Sequence, residues 1–288
     1  WLLTSLLFAI VAVLLFINKE WWWIPAIPAF LISQILIITT WQDAKFGTIL
    51  NLIIIISIVF GFASWNFNRQ VRAEIENIIS QENFREKTVV IESMISSLPE
   101  PVQNWLNNIG VVGREKTQIA YLKQTGQIKL KPDQKNWYEA EAEQYITNNN
   151  PAFLWKLDMK MMPLVKVKGR DIFMNGQGGM QIKIASLIPM VNETDNKQIN
   201  QSALQRYLAE LVWYPSAALN PYITWEEIDD KTARATMEYK GVTGSVNFHF
   251  DEDGDFKKIT AQRYKDTSPE AELREWIGEV ESFSRVDG

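Results

Sequence analysis

The sequence predicts an α+β protein: N-terminal transmembrane helices followed by a curved antiparallel β-sheet domain with one or more packing helices. Three observations predict it. Residues 1–18, 21–42 and 46–68 hold no charged side chain, and each run is near the ~20 residues a helix needs to cross a bilayer. From about residue 118 onward apolar side chains recur at every second position, between turn-forming pairs such as Asn175-Gly176. Finally, one helical pattern, residues 201–214, stands between two groups of such strands.

The first apolar run, residues 2–17, is a turn short and begins at Trp1. It reads as a clipped span or a mature end rather than a signal peptide, because a secretory signal would need a basic start and a small-residue cleavage site. In the second, Pro25 and Pro28 lie near the start, where a helix tolerates proline best. The third is the firmest. Between Gly47 and Trp65, Leu, Ile, Val and Phe fill eleven positions, which favours insertion by about 3 to 6 kcal/mol. Trp21, Trp22, Trp23, Trp41 and Trp65 fall at the ends of the runs, where amphipathic rings favour the headgroup layer. Three buried helices of a soluble protein are the alternative, but uncharged runs this long seldom occur in soluble cores. Lys19, Arg69 and Arg72 lie on one side and Lys45 on the other, a count that favours the cytoplasm for the polar domain of a multi-pass inner-membrane protein.

Behind the spans, residues 67–109 read as a juxtamembrane helical segment. Val71, Ile75, Ile78 and Ile79 mark one face at helical spacing, and Val90, Ile91, Met94, Ile95 and Leu98 mark another. Pro99 and Pro101 break the pattern, which resumes over 102–108 until Gly110. Residues 110–288 then form the β-rich domain. Tyr138, Ala140, Ala142 and Ile146 alternate with Glu139, Glu141, Glu143 and Tyr145, and Phe153, Trp155, Leu157 and Met159 alternate with Leu154, Lys156 and Asp158. Asn175-Gly176 predicts a hairpin between residues 170–174 and 180–184. After the helix, residues 232–239, 245–250 and 256–264 form a second antiparallel set, turning at Lys240-Gly241 and Asp253-Gly254. Residues 281–287 resemble one more strand reaching a turn, so the expectation is a domain short of at least one strand.

Composition removes several functions. The polar part holds 27 of the 29 basic and 32 of the 34 acidic residues, and the net charge is −5. A nucleic-acid surface would need clustered Lys and Arg instead, so no nucleic-acid partner is expected. No cysteine and a single histidine exclude thiolate chemistry, Cys-based metal sites and multi-histidine sites; no cofactor or metal is expected.

The motifs are weighed one by one. Gly176-Gln177-Gly178-Gly179 lacks the strand-to-helix setting and the lysine of a phosphate loop, and reads as a hairpin. Asp251-Glu252-Asp253-Gly254-Asp255 invites a calcium loop, but its sixth and twelfth positions are Phe256 and Gln262 rather than glycine and glutamate. His249 shares the polar face of its strand with Asn247 and Asp251, and has no serine or cysteine partner in view. Arg206, Glu210, Trp213 and Tyr214 share one helix side, with Tyr207, Leu208 and Leu211 turned to the sheet. An Arg–Glu pair beside a Trp can line a pocket or form a solvated salt bridge. Arg170-Asp171 and Trp225-Glu226 pose the same question.

Several stretches are similar to a bacterial membrane-anchored family of unknown function. They are Leu98-Pro99-Glu100-Pro101-Val102-Gln103, Gly110-Val111-Val112-Gly113-Arg114, Gly169-Arg170-Asp171 and the run from Arg206-Tyr207-Leu208-Ala209-Glu210 to Trp213-Tyr214-Pro215. The resemblance implies a fold and assigns no activity. Gln144-Tyr145 with Pro151-Ala152-Phe153-Leu154-Trp155 more loosely resembles the lipoprotein-sorting carriers, whose half-barrel of strands takes up acyl chains outside the inner membrane.

The leading expectation is therefore a membrane-anchored binding module, not an enzyme, whose curved sheet cups an apolar or lipid-like ligand. Phe153, Trp155 and Met159 would form the wall, with Arg170, Glu210 and Trp213 at the mouth and Asp171, Trp225 and Glu226 as further ligand contacts. The alternatives are an enzyme working with Asp171, Glu210 and Glu226 on a membrane-derived substrate, and an interaction domain for a membrane protein partner.

Overall fold

The computed structural model describes residues 1–82, 84, 87–130, 134–162 and 165–282. Its N-terminal part is helical: α1 (Leu2–Phe16), α2 (Trp23–Thr39), a single turn α3 (Trp41–Ala44) and α4 (Gly47–Ser80). Of these, α4 alone is long and apolar enough to cross a membrane; α1 and α2 are apolar but shorter. Large side chains such as Leu6, Ile35, Ile53 and Phe60 stand exposed on the outside of the three helices, while Val11, Ala26 and Ile58 pack between them. Polar groups also join α2 to α4. The Ser33 hydroxyl donates to Asn51 Oδ1 at 3.1 Å, and Asn51 Nδ2 donates to Gln34 Oε1 at 2.9 Å.

The expected boundary near residue 67 is no boundary in the backbone. With 34 residues, α4 runs unbroken for about 50 Å, because the charges that begin at Arg69 include no helix breaker. The expected partner helix over 90–98 shrinks to the turn α5 (Glu92–Ile95). A competing backbone partner explains this. Val90 N–H donates to Arg114 O at 2.9 Å, Gly113 N–H to Val90 O at 2.8 Å and Lys116 N–H to Thr88 O at 2.8 Å, so residues 88–90 are held extended. The helix α6 (Glu100–Asn108) starts with proline in its first turn, where the missing N–H costs nothing.

The remainder forms two antiparallel sheets where one curved sheet was expected. The first is a meander of β1 (Ile119–Ile128), β2 (Tyr138–Thr147), β3 (Ala152–Met162), β4 (Val165–Met174), β5 (Gln177–Ile184) and β6 (Ile188–Thr194) in chain order. The second is a meander of β7 (Ile223–Asp229), β8 (Thr232–Tyr239), β9 (Val242–Phe250), β10 (Phe256–Tyr264) and β11 (Leu273–Glu279). Asn175-Gly176 and Lys240-Gly241 both take positive φ, at 55° and 82° and at 52° and 80°, the pairing a two-residue hairpin turn requires. The strand expected over 281–287 falls, from 283 onward, outside the described residues.

Between the sheets lies α7 (Lys197–Ala209), capped by the Asn196 side chain, which accepts from Ile199 N–H at 2.9 Å. Single 3-10 turns follow at Glu210–Trp213 and Pro215–Leu219. Tyr207, Leu208 and Leu211 are fully buried in the main core with Phe153 and Phe173 of the first sheet and Val246 and Phe248 of the second. Trp105 of α6 closes this core against Phe248 and Phe250, with ring centroids 6.2 and 5.9 Å away. Gly178 admits α7 at close range: a Cβ there would lie 2.5 Å from Ile199 O.

The opposite face of the first sheet rests on α4. Phe67, Val71 and Ile78 pack against Ala152, Leu154 and Ile172. Lys168 Nζ donates to Asn68 at 2.8 Å, Arg170 grips Glu74 through two bonds of 2.7 and 2.5 Å, and Asn77 Nδ2 meets Met174 Sδ at 3.4 Å. From Asn68 to Asn77 the contacts thus advance along β4 in the chain direction. The helix lies alongside that strand, and its apolar half continues past the end of the sheet where β4 begins. We call that end the near rim and the opposite end, where α4 finishes, the far rim.

Candidate functional site

The pleat of β4 divides the Gly169-Arg170-Asp171 triplet. Arg170 faces α4 and is consumed by Glu74, whereas Asp171 turns to the inner face, 3 % exposed. There Asp171 meets α7. Arg206 Nη1 donates to Asp171 Oδ2 at 2.6 Å, and Arg206 Nε donates to Glu210 Oε1 at 2.9 Å. The same guanidinium lies 5.1 Å from the ring centre of Phe153 and 4.7 Å from that of Trp155, within cation–π range. Phe153, Trp155 and Asp171 meet here because residues 153 and 155 share a face of β3 and Trp155 pairs with Asp171 across the β3–β4 ladder.

A chain of hydrogen bonds extends from this centre. The Trp155 indole N–H donates to Gln124 Oε1 at 2.8 Å, Gln124 Nε2 donates to Gln144 Oε1 at 3.3 Å, and Gln144 Nε2 donates to Glu210 Oε2 at 2.5 Å. Burial works against the Arg206 charge, but Glu210 and Asp171 more than offset it and hold its proton more tightly than usual. On the other side Arg263 of β10 stacks its guanidinium 4.7 Å from the Trp276 ring centre. Burial pushes its pKa down, against the attraction of Asp171 and Glu210. Among the described residues, Arg263 Nε and Asp171 Oδ1 are buried without a hydrogen-bond partner. Two arginines and two carboxylates thus balance inside an aromatic frame. Arg206 occupies both carboxylates through an oxygen each, so the cluster is built to hold groups in place rather than to present a free base.

The other expected site residues sit apart from this centre. Met159 is fully buried on the same face of β3, further towards the near rim, with Leu157, Val167, Ala140 and Ala142. Trp213 is 46 % exposed on the turn that ends α7. Trp225 packs into the main core, 5.2 Å from Phe248, with its indole N–H on Ala218 O at 3.0 Å. Glu226, its neighbour, turns to the outer face of the second sheet and pairs with Arg234 at 3.6 Å. The three carboxylates weighed for catalysis therefore split, two on Arg206 and one elsewhere. On that outer face His249 bonds to Thr232 and Thr260 at 3.3 and 3.0 Å. No group of three or more metal-ligating residues occurs among the described residues.

Sequence reasoning missed Gln124, Gln144 and Arg263. Isolated glutamines in alternating strands carry no signal of their own. Arg263 could have been found, since it extends the alternation of Ile259 and Ala261 and therefore points inward.

The segment from Ser96 through α6 and both sheets also has a counterpart among known families. The model of a family of unknown function, DUF6920, matches residues 96–288. The chain belongs to this family. The DUF6920 segment contains the whole Arg206 cluster and leaves out α1 to α4, so the helical part lies outside the family match. No curated protein and no solved structure matches the chain.

Proposed function

We propose that this DUF6920 protein is a multi-pass membrane-anchored module that holds an apolar or lipid-like ligand against the inner face of its first sheet. The observation that carries the reading is the apolar stripe Ile128, Ala140, Leu157, Met159, Val167 and Ile184. All six lie on the inner face, and neither α7 nor the second sheet contributes a side chain to their cluster. Among the described residues the cluster is completed by Leu130, Tyr138, Trp155, Met161 and Ile182, all from the first sheet or its β1–β2 connection. It leads from the near rim, beside the apolar half of α4, to Trp155 and Arg206. An acyl chain would replace the self-packing of flexible Met and Ile side chains, and its polar end would reach Arg263 and Asp171, which carry unpartnered polar atoms in this cluster. This half-barrel use of a sheet is what the likeness of residues 144–155 to lipoprotein-sorting carriers suggests.

Membrane anchoring is supported by the bare apolar surface of α1, α2 and α4, and by the Ser33–Asn51–Gln34 bonds, a usual way to join helices in lipid. The reading places the protein in the bacterial inner membrane, with the count of Lys19, Arg69 and Arg72 favouring the cytoplasmic side for the sheets. The test is native mass spectrometry of the full chain released from a mild detergent, paired with titration of an environment-sensitive apolar dye. The expected result is a retained lipid mass and dye emission displaced stoichiometrically by fatty acid. Neither lipid nor dye uptake would sink the ligand, and a captured membrane protein without lipid would favour the interaction reading.

A further inference from the structure

We propose that the near rim of the first sheet is a second membrane contact, which seats itself in a layer of anionic lipid headgroups. The inference rests on the membrane reading of α4 and adds to it where the sheet sits and which lipid it selects.

The level of the rim follows from the packing of α4 on β4. Lys168 is bonded to Asn68, and Lys166 lies two residues nearer the rim, about 7 Å along the strand. Roughly four or five helix residues cover the same distance, so Lys166 is level with Ala63 and Ser64. That is about one turn before the uncharged run ends at Asn68, next to Trp65, over whose ring Arg69 folds back at 5.4 Å. The near rim therefore stands at the height of the helix's own aromatic boundary. The loop between α1 and α2 is fixed at this height too, since Glu20 accepts from Asn68 at 2.6 Å and from Arg72 at 2.7 Å.

The chemistry of the rim matches that height. Trp137, Leu187, Ile188 and Met190 are 56, 44, 56 and 46 % exposed, and they come from the β1–β2 connection, the β5–β6 turn and the start of β6, which the meander brings to this one end. Among the described residues, Lys129, Lys135, Lys160, Lys166 and Lys183 stand around them, with Glu139, Glu141 and Asp158 as the nearby carboxylates. Lys129 Nζ lies 4.6 Å from the Trp137 ring centre. At the far rim the turns at 148–150, 175–176 and 195–196 hold no lysine or arginine and contain Asp195. Apolar tips ringed by ammonium groups suit an interface of acyl chains below and negative headgroups around them. The far rim is not without lysine, since Lys240 packs on Gly176 and Lys197 follows Asn196, but the exposed apolar tips beside lysines lie at the near rim, on the side of α4's apolar half.

The chain has no cysteine, so single labels can be placed cleanly. Full-length Ile188→Cys, Gln177→Cys and Ile53→Cys variants, each carrying an environment-sensitive fluorophore, are reconstituted in nanodiscs of zwitterionic lipid or of a zwitterionic–anionic mixture. Lipids carrying bromine or a spin label on the chain act as quenchers. The expected result is a blue shift and loss of intensity at Ile188, larger with anionic lipid, solvent-like emission at Gln177 on the far rim, and strong quenching at Ile53 in α4. Solvent-like emission at Ile188 with quenching at Ile53 would overturn the inference, leave the anchor standing and assign the rim to a protein partner. Equal quenching at Ile188 in both lipids would overturn its preference for negative headgroups. An unquenched Ile53 would remove the membrane reading, and the inference with it.

Discussion

Arg206 of α7 and Asp171 of β4 meet at 2.6 Å, side chains 16 and 4 % exposed, and this pair joins the helix between the sheets to the face it covers. Removing one member leaves the other charged and largely dry, which costs about 3 to 5 kcal/mol. Asp171→Ala should therefore lower the unfolding free energy by about 3 kcal/mol, the low end, because Glu210 still holds Arg206. Arg206→Met should cost less than the sum of the separate losses of Asp171 and Glu210. Chemical denaturation in detergent, arranged as a double-mutant cycle, measures both, and additive effects would show that the pair is not coupled.

The grip of Arg170 on Glu74 is the ion pair that joins the middle of α4's second half to the sheet, beside the apolar contacts and the Lys168–Asn68 bond. Glu74→Arg should raise amide exchange along residues 67–80 and cost roughly 1.5 to 3 kcal/mol, the usual range for hydrogen bonds to charged groups. Adding Arg170→Glu should restore most of the protection. Failure of the swapped pair to recover would mean that the apolar contacts of Phe67, Val71 and Ile78 and the bonds of Asn68 and Asn77 hold the helix without the ion pair.

Glu82 ties the end of α4 to the β2–β3 turn by accepting from Asn150 N–H at 2.9 Å. Burial raises its pKa above the ordinary 4.5, against the opposing backbone bonds from Asn150 and its neighbours. A raised carboxyl pKa means that the folded state binds the extra proton. Its contribution is complete below pH 4.5 and is lost as pH rises through the folded value. Relative to Glu82→Gln, the parent chain should therefore lose stability between pH 4.5 and that higher value and then stay level. Thermal unfolding of both proteins across this range would reveal a difference of the opposite slope if the carboxylate is instead the favoured form.

Gly178→Ala should destabilise by about 1 to 3 kcal/mol, as overpacking does, since the new methyl group would press on the Ile199 carbonyl. Gly126→Ala, whose Cβ meets nothing within 4 Å, is the matched control and should leave the midpoint within the error of denaturant melts.

The sequence was legible where local chemistry admits one backbone. Asn175-Gly176 and Lys240-Gly241 announce their hairpins because both residues must take positive φ, and the alternation of Tyr138, Ala140 and Ala142 with three glutamates marks a strand with one dry face. Layering was not legible. Both sheets alternate in the same way, so nothing local says that residues 119–194 and 223–279 form separate sheets with α7 between them. The Arg170-Asp171 pair reads as a unit in sequence, but adjacent strand residues point to opposite faces, and the two charges serve different partners. The face at 90–98 misleads for another reason: Val90 prefers the backbone of Gly113 and Arg114 to a helix of its own.

The unbroken course of α4 has a mechanical consequence. A joint at residue 67 would let the sheets hang freely, but this helix is a strut bolted to β4 along its second half. Any tilt of its apolar half must swing the whole two-sheet body. Over a strand of ten residues, about 33 Å, a tilt of about 10° carries the far rim sideways by about 6 Å. On the proposed membrane reading of α4, a change in bilayer thickness, which tilts a helix, is turned into a change of position at the far rim.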